Sequence, residues 1–254
     1  MQTRGALEGK VALITGAAGV IGVATARLMA ERGAKIAAVD RPGADLGPLR
    51  EAVPRDLVLI EADVTDEAST SGYVARTQAA FGGRIDIFFN NAGIEGPVRP
   101  IPDYSLADFR RVMAVNVEGV FLGLKYVLPV MIAQRAGSVI NSSSAAGVSG
   151  SPGTSGYNAS KHAVLGLTRV AALEVGDKGV RVNCINPGPI RSRMMTSLDD
   201  ARGSGEAQGA LRIPARRYGQ PEEVAAMVAF LASDEAGFIN GAYHLIDGGR
   251  HATA

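Results

Sequence analysis

Seven short apolar runs, many of them β-branched, punctuate the chain at residues 11–15, 35–40, 57–61, 85–89, 138–141, 181–185 and 243–246. Most are apolar on both faces, as a strand covered above and below must be, and helix-like stretches separate them. The alternation predicts an α/β class: a doubly wound, mostly parallel seven-stranded sheet flanked by helices, in one domain spanning residues 1–254. The helix predicted over residues 157–175 carries Ala159, Ala163, Leu167, Val170 and Ala171 on one side and Leu165, Ala172 and Val175 on another. An all-round apolar helix needs two burying surfaces. One is the sheet, and the other is either the rest of the monomer or a second copy of the chain, which predicts a homo-oligomer, dimer or tetramer.

Two polar stretches interrupt this rhythm. Residues 142–156, rich in Ser, Gly and Ala, sit between a predicted strand and a predicted helix and read as an active-site loop rather than a linker. Residues 198–209 contain Asp199-Asp200 and Gly203-Ser204-Gly205 with no periodic apolar face, flanked by Met194, Met195, Leu211 and Ile213. They read as the centre of a mobile lid, residues 191–215, over an apolar pocket.

Composition narrows the classes. A chain that is 46% hydrophobic has ample material for one core. With 26 basic and 25 acidic residues its formal net charge is +1, which gives no footprint for nucleic acid or an anionic membrane and leaves a small molecule as the expected partner. The single cysteine, Cys184, lies in an apolar run, so no intramolecular disulfide forms, and a buried strand position in a reducing, cytoplasmic setting is expected. No signal-like opening and no run of about 18 apolar residues is present, so a soluble, unprocessed protein is expected.

The chemistry sits at the predicted strand ends. The first run leads into Thr15-Gly-Ala-Ala-Gly-Val-Ile-Gly22. Glycines in a strand-to-helix turn let the backbone approach a pyrophosphate held by the helix N-terminus. Asp40, ending the second run, suits the two ribose hydroxyls of an adenosine and repels a 2'-phosphate, favouring NAD over NADP. The adjacent Arg41 is a solvated neighbour or, alternatively, a phosphate reader. Asp63-Val64 and Asn90-Asn-Ala-Gly93 end the third and fourth runs; singly they read as a cap and a turn, together as a ligand-binding rim. Ser144 precedes Tyr157 by thirteen residues, and Lys161 follows it by four, one helical turn away on the same face. That spacing alone is weak evidence for an acid/base device.

Taken together, these motifs, with Asn116, Asn186-Pro-Gly-Pro-Ile190 and Asp247-Gly-Gly249, resemble the short-chain dehydrogenase/reductase family in its roughly 250-residue form. The likeness spans nearly the whole chain and implies a Rossmann-like fold. It implies that Tyr157 is the general acid/base, that Lys161 lowers its pKa and holds the nicotinamide ribose, and that Ser144, rather than Ser142 or Ser143, orients the substrate oxygen. Asn116 is similar to the residue that anchors a water in the proton relay. Gly16, Ala18, Gly19, Val20, Ile21, Asp40, Asp63, Val64, Asn90, Ala92 and Gly93 would meet the cofactor, as would Tyr157, Lys161, Pro187, Gly188, Ile190 and Ser192. The glycine turn departs from the small form, with Gly19 followed by Val20 where the second glycine is expected.

A free phenol titrates near 10, so serving as a base near neutrality requires a shift of about three units, or roughly 4 kcal/mol. One cation at about 4 Å in an effective dielectric near 20 supplies about that much. Burial opposes it, so the charge on the nicotinamide of NAD+ is expected to help.

The loops 94–98 and 147–152 and the Met-flanked lid predict a mainly apolar pocket for a secondary alcohol or ketone, alicyclic or aromatic. Glu95 faces either a substrate hydroxyl or solvent. No metal is required, and His162, His244 and His251 read as surface or packing residues, with His244 and the tail near a neighbouring subunit. An NADP-dependent 3-oxoacyl thioester reductase is the alternative enzyme, and a non-catalytic NAD-binding regulator the alternative class.

Overall fold

The computed structural model describes residues 5–201 and 203–252. Seven parallel strands, β1 (Val11–Thr15), β2 (Lys35–Asp40), β3 (Leu57–Glu61), β4 (Ile87–Asn90), β5 (Gly137–Ser142), β6 (Val180–Pro187) and β7 (Tyr243–Ile246), lie in the order β3-β2-β1-β4-β5-β6-β7. The chain therefore reverses its direction of winding between β1 and β4, and the carboxyl ends of the neighbouring strands open the crevice where such sheets bind ligands. The fourth strand starts two residues later than its apolar run, and β6 continues through Asn186-Pro187, carrying these residues to the crevice.

Strand parity divides the core. Leu13, Val39, Phe88, Val139 and Val182 point to one face, beneath α3 (Glu67–Ala80), α5 (Gly119–Gln134) and α6 (Ser155–Val175). Ile14, Ile36, Phe89, Ile140 and Ile185 point to the other, beneath α1 (Val20–Glu31) and α9 (Pro221–Ala232). Burying both faces explains why the strands read as continuous apolar runs rather than alternating ones. Cys184 is fully buried in β6, and its thiol is pushed up to about 11, chiefly by that burial.

Local chemistry sets the boundaries. Asp66 caps α3 by accepting from Ser69 N at 2.6 Å. Pro221 opens α9 behind a capping box formed by Gln220 and Glu223. The run 106–134 is one long helix: α4 (Leu106–Met113), a π-helical turn (Ala114–Glu118) and α5. It is apolar and long enough to cross a membrane, yet Val120, Leu124, Val127, Leu128 and Met131 are buried in the core. The segment 191–215, read as a lid whose centre has no periodic apolar face, contains two helices, α7 (Arg193–Ala201) and α8 (Glu206–Ala210). Asp199, acidic enough to suggest solvent, is instead buried where its Oδ2 accepts from Tyr218 Oη at 2.8 Å. On α6, Leu173 (86% exposed) and Val170 (54%) stay uncovered.

Candidate active site

Gly16 ends β1 with φ +63°, and a Cβ there would lie 2.8 Å from Ala92 Cα. A Cβ on Gly22 would lie 2.5 Å from the Gly16 carbonyl oxygen. Only glycine permits both the turn and the close seating of α1. Gly19 caps α1 without a side-chain bond and no acidic residue occupies the first turn, leaving the helix N-terminus available to an anion. Asp40, half-buried at the end of β2, accepts from Ala18 N through Oδ2 and from Arg41 N through Oδ1, both at 2.8 Å. A carboxylate offers about four acceptor sites, so two remain for ribose hydroxyls. The donor set and the cradle fit a dinucleotide.

The rim residues have divided tasks. Asp63 is exposed, and its Oδ1 accepts from Thr65 N and Oγ1; Val64 packs where a Cβ on Gly119 would touch it. Asn90 is buried and donates to Val120 O at 3.0 Å, a structural role, while Asn91 lines the cavity instead. Thr15 organises this loop: its Oγ1 accepts from Asn91 N at 3.0 Å and Ala92 N at 3.2 Å. Sequence reading passed over Thr15 and Asn91, whose signal was adjacency to the glycine turn and the Asn-Asn pair. Thr15→Val should cost about 2 kcal/mol in urea denaturation, because two backbone N–H groups lose their acceptor. It should also weaken dinucleotide affinity in a fluorescence titration, since Ala92 backs the turn.

The three consecutive serines are now distinguishable. The carbonyl of Ser142 accepts from Lys161 Nζ at 2.8 Å, and the hydroxyl of Ser143 donates to Lys161 O at 2.8 Å. All three line the cavity, and the Ser144 hydroxyl is in hydrogen-bonding reach of Tyr157, with its Oγ accepting from Ala146 N at 3.2 Å. Asn186 Nδ2 donates to Ser144 O at 2.7 Å and fixes that loop. Asn116, in the π turn, accepts from Ile94 N at 2.8 Å and donates to Ile94 O and Ser160 Oγ. A Cβ on Gly93 would lie 3.3 Å from both Asn116 Oδ1 and Lys161 Nζ, so the two side chains face the same small space.

Tyr157 and Lys161 differ from the simple electrostatic expectation. Lys161 Nζ stands 5.6 Å from the centre of the Tyr157 ring. Burial pushes the phenol above its usual value; Ser144 opposes this and the charge of Glu95 adds to it. Burial also pushes the Lys161 ammonium down to about 8. Without ligand, the pair is poised against ionisation on both sides.

These groups open on a cavity of about 420 Å³. Ile21, Gly93, Pro187, Gly188, Ile190 and Ser192 line it, as do Met194, Met195 and Leu198 from the segment expected to cover it. Leu211 is exposed and Ile213 is buried away from the lining. Ala18, Gly19, Val20, Asp40, Asp63 and Val64 lie outside that lining. His251, read as a surface or packing residue, is in the wall; a side chain five residues past the last strand carries no sequence signal of that placement.

A parallel sheet, a glycine-turn cradle and a Ser, Tyr and Lys cluster at the strand ends define a dinucleotide-binding oxidoreductase. The chain belongs to the short-chain dehydrogenase/reductase family, and a family model described as enoyl-(acyl carrier protein) reductase matches residues 16–251. It is 43% identical over 253 residues to levodione reductase of Leifsonia aquatica, covering 96% of this chain and 94% of that protein. It is 38% identical over 245 residues to cyclohexanol dehydrogenase of an Acinetobacter species, covering 94% of each. The crystal structure of levodione reductase superposes with a TM-score of 0.93 at 41% identity, covering 98% of this chain and 100% of that one. NAD+-bound xylitol dehydrogenase gives 0.90 at 38% identity, covering 96% and 99%.

Proposed function

We propose that the protein is an NAD-dependent dehydrogenase that interconverts a cyclic secondary alcohol and its ketone. The observation that carries this is a hydroxyl pair, Ser144 and Tyr157, at a cavity whose wall includes the apolar Met194, Met195, Leu198, Pro187 and Ile190. Relatives named for a cyclic dione and for cyclohexanol support an alicyclic substrate. In oxidation, Tyr157 as the phenolate would take the alcohol proton at Oη while Ser144 holds the substrate oxygen; in reduction the Tyr157 phenol returns it. Bound NAD supplies the hydride acceptor or, reduced, the donor. Lys161 orients the ribose beside Tyr157, and Asn116 holds the Ile94 backbone next to Lys161. Segment 191–215 acts as the lid, excluding water through Met194, Met195 and Leu198.

Asp40 favours NAD, since its carboxylate would repel a 2'-phosphate. Asp40→Ala should raise the NADP:NAD ratio of kcat/KM by at least about tenfold, a loss or gain of roughly one charge contact; an unchanged ratio would remove Asp40 as the selector. A panel of alcohols, ketones and 3-oxoacyl thioesters assayed with both cofactors, by reduced-nicotinamide absorbance, tests the whole reading. Preferred turnover of thioesters with NADPH would replace it. The uncovered Leu173 and Val170 on α6 support a homo-oligomer through that helix, which sedimentation would detect.

A further inference from the structure

The cavity is closed on one side by the turn that follows β7. Asp247 Oδ1 accepts from Gly249 N and Oδ2 from His251 N, each at 2.9 Å. Oδ2 also lies 2.7 Å from His251 Nδ1, and His251 Nε2 lies 2.9 Å from Ser149 Oγ, in the loop that carries Ser144. Through these contacts the chain Asp247, His251, Ser149, whose hydroxyl also donates to Ala145 O at 3.0 Å, latches the turn against the loop. Arg250 sits within this latched turn and lines the cavity.

The charges of the wall are one-sided. The described residues that line the cavity include Lys161, Arg250 and His251 and no carboxylate. Among the described residues the Arg250 guanidinium has no ion pair; the Tyr218 phenol feels its charge, but Tyr218 donates to Asp199. Asp247 is already engaged by His251 and two backbone N–H groups. A half-buried guanidinium that lines a mainly apolar cavity and makes no ion pair among the described residues is placed to receive an anionic group of a ligand.

We propose that Arg250 is a specificity-determining residue: the substrate bears a carboxylate remote from its carbinol, which Arg250 receives through its planar fork. The proposal rests on the dehydrogenase reading and names the substrate class of the same cavity, a hydroxylated alicyclic acid. The cofactor pyrophosphate is the other possible anion, although the glycine turn already provides for it.

The test compares parent, Arg250→Gln and Arg250→Lys holoenzymes on cyclohexanol and on 4-hydroxycyclohexanecarboxylate at saturating NAD. Arg250→Gln should lose about 30-fold more kcat/KM on the acid than on cyclohexanol, and Arg250→Lys should recover part of that loss. Calorimetric binding of cyclohexanecarboxylate to the NAD+ complex should weaken by a similar factor, whether or not either alcohol turns over. Equal losses on both alcohols, or unchanged cyclohexanecarboxylate binding, would overturn the proposal. A parallel drop in NAD affinity in Arg250→Gln would do so as well, assigning the guanidinium to the cofactor. Absence of turnover with both alcohols, with carboxylate binding still dependent on Arg250, would count against the dehydrogenase reading alone.

Discussion

Tyr157→Phe is expected to reduce kcat by at least about 10³-fold while leaving NAD affinity within about twofold, as befits loss of a group that moves the proton in the transition state. The phenyl ring keeps its packing over Lys161, so the fold and the cofactor crevice should survive. Only the oxygen that exchanges the proton, and that Ser144 reaches, is removed. Steady-state kinetics with a cofactor titration separate the two effects; a variant with near-parent turnover would exclude Tyr157 as acid/base. The parent protein offers a second readout. Because burial holds the phenol above its usual value in the free protein, ultraviolet titration should find Tyr157 ionising above pH 10 there and at clearly lower pH in the NAD+ complex. Equal titrations in the two states would leave the bound cofactor without a part in activating Tyr157.

Lys161→Met is expected to abolish turnover to a similar extent and, in the opposite direction, to stabilise the free protein. Burial pushes the Lys161 ammonium from its ordinary 10.5 down to about 8, so near neutrality the folded protein holds a charge it would rather release. A difference of that size is worth about 3 kcal/mol. Leaving Ser142 O without its 2.8 Å donor returns about 1 kcal/mol of this, for a net gain of about 2 kcal/mol. The sign follows from proton counting. Between pH about 8 and about 10.5 the unfolded chain binds the Lys161 proton and the folded one does not, so this group's contribution to stability rises with pH through that window. Subtracting the variant's denaturation midpoint from the parent's at each pH separates this contribution from those of the buried Cys184 and Tyr157, whose thiol and phenol burial pushes up. A midpoint that falls on substitution at pH 7 would show that Lys161 supports the fold rather than being tolerated for function.

Much of the active site was legible because its parts are local. The spacing from Tyr157 to Lys161 is one helical turn, and the glycine turn is contiguous with β1. Strand ends marked by Asp40, Asn90 and Asn186 follow directly from runs whose apolarity announces burial. The less legible parts depend on contacts between distant segments. Which of Ser142, Ser143 and Ser144 meets Tyr157 depends on how the loop folds over Lys161, which holds the Ser142 carbonyl and accepts from the Ser143 hydroxyl. Asn90 turns its side chain toward Val120 and Asn91 lines the cavity, because β4 runs as far as Asn90. Residues 198–209 lack a periodic apolar face, yet the helix that ends within them turns Met194, Met195 and Leu198 to the cavity and buries Asp199 against Tyr218, nineteen positions away.

The sequence by itself determined the sheet, its two covered faces and the identity of the groups that exchange protons, since strand burial and helical spacing are properties of neighbouring residues. Tertiary structure alone decided the electrostatic state of those groups and the composition of the wall around them. The Lys161 ammonium is disfavoured by burial that no i, i+4 spacing records. Arg250 and His251 reach the cavity only because Ser149, 102 positions from His251, receives the turn after β7.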